Sequence, residues 1–162
     1  MEGLRSETPR PGPRWVSRLV EALQPAQRAH RLGSIGLFAG LEWSELEFAA
    51  GCLTESVVER GTRMTVQGKP SSRLWLIMQG EALVSADARP IRVAGHGDVV
   101  GGMTLINQLE SPETTIALTP IRAFEAGPEQ FRRLIRHRSI RRRLAAIHSV
   151  RNPAKRRHSA RG

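Results

Sequence analysis

Two sets of side chains in this 162-residue sequence could carry chemistry on residue type alone. The first is the histidines, His30, His96, His137, His148 and His158, with the single cysteine, Cys52. A metal site in a β-barrel enzyme needs histidines gathered on neighbouring strands. Only His96 falls in the part of the chain that reads as strands, inside Gly95-x-Gly97, where it fills a turn. Cys52 cannot form an internal disulfide, and its setting, Ala49-Ala50-Gly51-Cys52-Leu53, suits a buried, inert thiol. Met64, Met78 and Met103 read as core filler. No nucleophile, base and orienting group stand together, so neither catalysis, a metal nor a cofactor is expected.

The second set is an arginine cluster: Arg132, Arg133, Arg136, Arg138, Arg141, Arg142 and Arg143, then Arg151, Lys155, Arg156 and Arg157. The formal charge is +10, unevenly spread. Residues 1–131 hold 13 Lys+Arg against 15 Asp+Glu, whereas residues 132–162 hold 12 basic residues and no acidic one. The pattern is a near-neutral domain with a polycationic appendage. Arg132, Arg133, Arg136, Arg141, Arg142, Arg143, Lys155, Arg156 and Arg157 could touch RNA, DNA, an acidic protein or an anionic membrane by charge alone, and a merely solvated tail is the plain alternative. No aromatic residue follows Phe131, so base stacking is not expected there.

With 40% hydrophobic and 25% charged residues, the composition fits one domain with a modest core. No run approaches the roughly 20 apolar residues of a spanning helix. The first 15 residues lack the apolar stretch of a secretory signal, which makes the cytoplasm the default compartment.

The elements that must position these residues follow from periodicity. Residues 1–13, rich in Pro, Arg and Gly, read as a disordered arm. A helical segment over 14–36 begins with Trp15, Leu19 and Leu23, flanked by Val16 and Val20, and Pro25 should end that helix. It would dock on its own domain or hold a partner chain. Ser44 and Glu47 have the spacing of a capping box, with Trp43 and Phe48 as the staple, so a helix should run from Glu45 to near Gly51. From Val57 to Glu125, short runs rich in Val, Ile and Thr are punctuated by glycine at nearly regular spacing, which indicates an antiparallel sandwich or barrel. Helix returns at Gly127-Pro128 with Phe131, Leu134 and Ile135, and Ser139 restarts it with Ile140, Leu144 and Ile147. After Asn152-Pro153 nothing apolar remains, and residues 149–162 read as a basic, disordered tail. The expected fold class is α+β, an antiparallel β-roll flanked by N- and C-terminal helices.

That order, with its glycines, resembles the cyclic nucleotide-binding domain family, to which bacterial catabolite activators and the regulatory subunits of cyclic-AMP-dependent kinase belong. The matching stretches are Leu37 to Leu41, Gly61, Gln67 to Ile77, Gly80, Gly95 to Gly101, Ala117 to Thr119, and Phe131 to Leu134. The resemblance implies a jelly-roll-like domain over 37–148. It also implies a phosphate-binding cassette after Gly97-Asp98: a short helix whose backbone N–H groups meet the phosphate, a Glu for the ribose hydroxyl and an Arg for the phosphate.

The cassette positions here are Gly101, Gly102, Met103, Thr104 and Leu105, then Ser111, Pro112, Thr114 and Thr115. Matching on Gly101 puts Gly102 where the family has its Glu; matching on Ala117-Leu118-Thr119 puts Ser111 where it has its Arg. No Lys or Arg lies between Arg92 and Arg122, while Glu110 and Glu113 flank Ser111. Losing a charge-assisted hydrogen bond of about 1.5–3 kcal/mol weakens cyclic AMP binding by at least one to two decades. A non-enzymatic regulatory or interaction module with weak or no cyclic AMP binding is therefore expected. One alternative is a true nucleotide sensor using backbone N–H groups and the hydroxyls of Thr104, Ser111, Thr114 and Thr115. The other is a nucleic-acid-associated protein acting through the arginine-rich segment. A partner protein or a second copy would be held by the terminal helices. Only 18 residues follow Leu144, too few for a helix-turn-helix reader of DNA with its wing.

Overall fold

The computed structural model describes residues 14–102, 105 and 110–151. The first helix, α1, runs from Arg14 to Gly33 and passes through Pro25, where the sequence suggested an end. An interior proline costs a helix about 3 kcal/mol. Here the turns beyond it are held from outside: Ala29 and Leu32 are fully buried, and Arg28 Nη1 donates to the Leu53 carbonyl at 3.0 Å. Tertiary packing outweighs the local penalty, and α1 is seated on its own domain.

Helix α2 spans Trp43–Cys52, and its cap lies two residues earlier than expected. Glu42, not Ser44, is the N-cap, and Glu45 Oε2 accepts the Glu42 N–H at 2.9 Å. Ser44 is thereby drawn inside the first turn. The staple positions pass from Trp43 and Phe48 to Leu41 and Leu46, which both pack on one core, while Trp43 is 48% exposed. Phe48 instead meets the His137 ring at 5.6 Å between centroids.

Among the described residues eight strands follow: β1 (Thr54–Val58), β2 (Arg63–Thr65), β3 (Leu74–Gln79), β4 (Ala82–Ala86), β5 (Arg89–Ala94), β6 (Val99–Gly101), β7 (Thr114–Ala117) and β8 (Ile121–Ala126). They form two four-stranded sheets, ordered β1-β8-β3-β6 and β2-β7-β4-β5, in which every ladder is antiparallel. Helix α3 (Pro128–Leu134) starts as the sequence implied, with Gly127 as cap and Pro128 in the first turn. Helix α4 (Arg138–Arg151) starts one residue before Ser139. None of the described helices is long and apolar enough to cross a membrane.

Alternation along the strands builds two cores. Ile77, Val84, Met64, Val58 and Ile121 come from both sheets and fill the roll. Leu76, Val99 and Phe124 turn the other way and meet Leu32, Phe38, Phe131, Leu134, Ile140 and Leu144 from the helices. The same helical layer holds Cys52, whose thiol burial pushes above its usual range. His96 is exposed, with Nδ1 2.8 Å from the Met78 carbonyl, in the turn where the sequence put it.

Candidate functional site

The cassette is approached by β6, whose last residue, Gly101, pairs with Leu74 on β3. Gly101 and Gly102 both lie at positive φ, +75° and +89°. The constraint is spatial as well as conformational. A Cβ on Gly101 would sit 2.3 Å from the Arg73 carbonyl oxygen, and one on Gly102 would sit 2.7 Å from Leu74 Cδ1. The position that the family resemblance gives to a carboxylate is thus filled by the flank of β3. Leu105 is half-buried against the helical core, and its N–H donates to the Gly102 carbonyl at 3.1 Å. Met103 and Thr104 lie outside the described residues.

The second half of the cassette is stitched to the loop between β2 and β3. Ser111 is buried, and Gln67 bridges to it in parallel. The Gly68 N–H donates to the Ser111 carbonyl at 2.9 Å, and the Ser111 N–H to the Lys69 carbonyl at 2.8 Å. The hydroxyls on this side are engaged inside the fold. Ser111 Oγ donates to the Glu113 carbonyl at 2.7 Å, and Thr114 Oγ1 accepts the Gln67 N–H at 2.9 Å. Thr65 Oγ1 lies 3.0 Å from both Thr115 Oγ1 and the Glu113 carbonyl. Pro112 is exposed.

Sequence spacing did not reveal the role of Gln67. Its side-chain amide also clamps the β4–β5 turn, with Nε2 donating to Asp87 Oδ1 at 2.9 Å and Oε1 accepting the Asp87 N–H at 2.8 Å. Asp87 and Ala88 occupy the left-handed region at φ 50° and 59°, as a tight hairpin requires. One residue thus ties the hairpin to the cassette. The same loop brings up Lys69, an exposed cation distant in sequence that the count of basic residues between Arg92 and Arg122 could not include.

The arginines separate into two kinds. Arg143 on α4 is structural: its Nη1 donates to the carbonyls of Leu37 and Ala39 at 3.0 and 2.6 Å. Arg132, Arg133, Arg136, Arg141 and Arg142 are exposed. Lys155, Arg156 and Arg157 lie outside the described residues. Replacing Arg143 with Ala should cost about 1.5 kcal/mol in urea unfolding, the value of a charge-assisted bond at a half-exposed site, whereas Arg141→Ala should stay within about 0.5 kcal/mol. Equal effects would mean that the carbonyl contacts hold nothing.

Close by, His137 Nε2 lies 3.6 Å from Glu45 Oε1, joining the α3–α4 turn to α2. The Glu45 carboxyl is held below its usual range chiefly by the Glu42 N–H that it accepts, with help from Ser139, His137 and Arg143. Among the described residues, no three His, Cys, Asp or Glu side chains gather as a metal would require.

Comparison with known proteins agrees with this architecture. The family model for the cyclic nucleotide-binding domain matches residues 55–138. A cAMP-dependent protein kinase regulatory subunit of Yarrowia lipolytica is 28% identical over 106 residues, which is 64% of this chain and 28% of that protein. The chain therefore spans little more than a quarter of that relative's length. Among solved structures, the regulatory subunit of a cAMP-independent protein kinase A from Trypanosoma brucei aligns with a TM-score of 0.70 at 18% identity, over 88% of this chain and 53% of its own. A cAMP-binding acyltransferase from Mycobacterium smegmatis aligns with a TM-score of 0.62 at 26% identity, over 82% and 43%. With eight strands in two antiparallel sheets, helices before and after them, and more than half of its length matched by the family model, the chain belongs to the cyclic nucleotide-binding domain family.

Proposed function

We propose that this domain is a non-catalytic regulatory module that acts through contact with protein, and that its cassette binds ordinary cyclic AMP weakly or not at all. The observation that carries this is Ser111. It stands where the family resemblance puts the phosphate-pairing arginine, is buried, and directs its hydroxyl to the Glu113 carbonyl. A phosphodiester placed there meets no guanidinium from its own strand and has Glu110 and Glu113 as neighbours in sequence.

The kinship with a kinase regulatory subunit supports a protein partner. The Trypanosoma brucei subunit, described as part of a cAMP-independent kinase, is a precedent for this fold in such a setting. The cAMP-binding acyltransferase from Mycobacterium smegmatis, of which 43% aligns, is a precedent for this fold within the chain of an enzyme.

Calorimetric titration of the whole chain with cyclic AMP and cyclic GMP tests the proposal. The expected result is no saturable heat at micromolar nucleotide. Micromolar binding would overturn it, and loss of that binding in Lys69→Ala would trace the missing cation to the β2–β3 loop.

A further inference from the structure

We infer that the arginine ridge on α3, the turn after it and α4 is a contact surface for the phosphate backbone of duplex nucleic acid. This goes beyond the cassette and does not depend on what the cassette binds. Arg132, Arg133, Arg136, Arg138, Arg141 and Arg142 are all exposed, and none forms an ion pair with a carboxylate among the described residues. No Asp or Glu occurs after Glu129. Arg138 and Arg142, four residues apart, lie on the side of α4 opposite the buried Ile140 and Leu144, and the exposed Arg141, three residues from Arg138, lies on the flank beside them. Among the described side chains of this helix, Arg143, which points elsewhere, is the arginine tied to backbone carbonyls of the domain.

The chemistry around the ridge selects the partner. A membrane-surface helix inserts large apolar side chains beside its cations, but among the described residues the solvent side of α4 presents Ala145 and Ala146, and its next apolar residue, Ile147, is half-buried. A specific protein interface needs a desolvated apolar or aromatic centre, and the ridge has none. Single strands are held largely by aromatic stacking, but no Phe, Trp or Tyr follows Phe131, and the His137 ring is turned to Phe48. A duplex backbone asks only for a row of cations, and guanidinium groups pair with phosphate through two parallel hydrogen bonds.

The test uses the full chain and a fluorescent random-sequence DNA or RNA duplex, followed by anisotropy from about 50 to 200 mM salt. The triple variant Arg138→Ala/Arg141→Ala/Arg142→Ala is expected to bind at least about tenfold more weakly and to lower the slope of log K against log salt by about 2–3. These sites are exposed, so its melting temperature should match the parent's. Should it not, the set Arg132→Ala/Arg133→Ala/Arg136→Ala gives the same reading from α3 and the turn after it. Unchanged affinity and slope in the variant overturn the inference. So does loss that appears only on replacing Lys155, Arg156 and Arg157, and so does binding to phosphatidylserine vesicles without binding to duplex.

Discussion

Gly102→Glu, which supplies the carboxylate that the family resemblance places at this position, is expected to destabilise the domain by about 2–4 kcal/mol and to confer no cyclic AMP affinity. Two costs combine. A non-glycine residue at φ +89° carries roughly 1–2 kcal/mol of backbone strain. Its Cβ would lie 2.7 Å from Leu74 Cδ1, and forcing a buried neighbour aside costs about 1–3 kcal/mol. Leu74 is 3% exposed and sits on a strand paired on both sides, to β6 and β8, so it has little room to yield. In thermal unfolding the change corresponds to a fall of about 10 °C. An unchanged melting temperature would show that the β6 exit is free to adopt another backbone. The cassette's departure from the family pattern is then a property of the surrounding fold, which one reverting substitution cannot undo.

Phe124→Ala is expected to cost about 3–5 kcal/mol. Phe124 is fully buried on β8 and stands opposite both Glu55 on β1 and Leu76 on β3. The Arg31 guanidinium of α1 lies 5.2 Å from the centre of its ring and at the same time pairs with Glu55 at 2.7 Å. Removing the ring leaves a cavity between helices and sheet and takes away the surface on which Arg31 rests. Limited proteolysis should therefore cut α1 earlier in the variant than in the parent. Urea unfolding that shifts by less than about 1 kcal/mol would place the anchor of α1 elsewhere.

Much of this architecture could be read from residue order because it depends on local signals. Strands bounded by glycine, and Gly127-Pro128 opening α3, are such signals, and they fall where expected. The two failures share a cause. Pro25 and Ser44 are punctuation marks for an isolated helix, but Ala29 and Leu32 carry α1 past the first, and the paired Glu42 and Glu45 cap α2 ahead of the second. In the cassette, sequence identified Gly102 and Ser111 as departures from the family pattern, yet not what holds them there. The Leu74 side chain behind Gly102 and the Gln67–Lys69 segment beside Ser111 are brought in by pairing across more than 25 residues of chain, and no spacing rule records that. Arg143 illustrates the same limit: its neighbours in sequence are arginines of another kind, and only the carbonyls it reaches tell them apart.

Those carbonyls give the domain a mechanical property. Leu37–Ala39 lies ahead of α2 and the strands, α4 follows them, and Arg143 fastens the two across 106 and 104 residues of sequence. Tension on the flanks would be borne jointly, by α1 through Arg28 and Arg31 and by α4 through Ile140, Leu144 and the Arg143 clasp, so the helical layer would share the load with the strands.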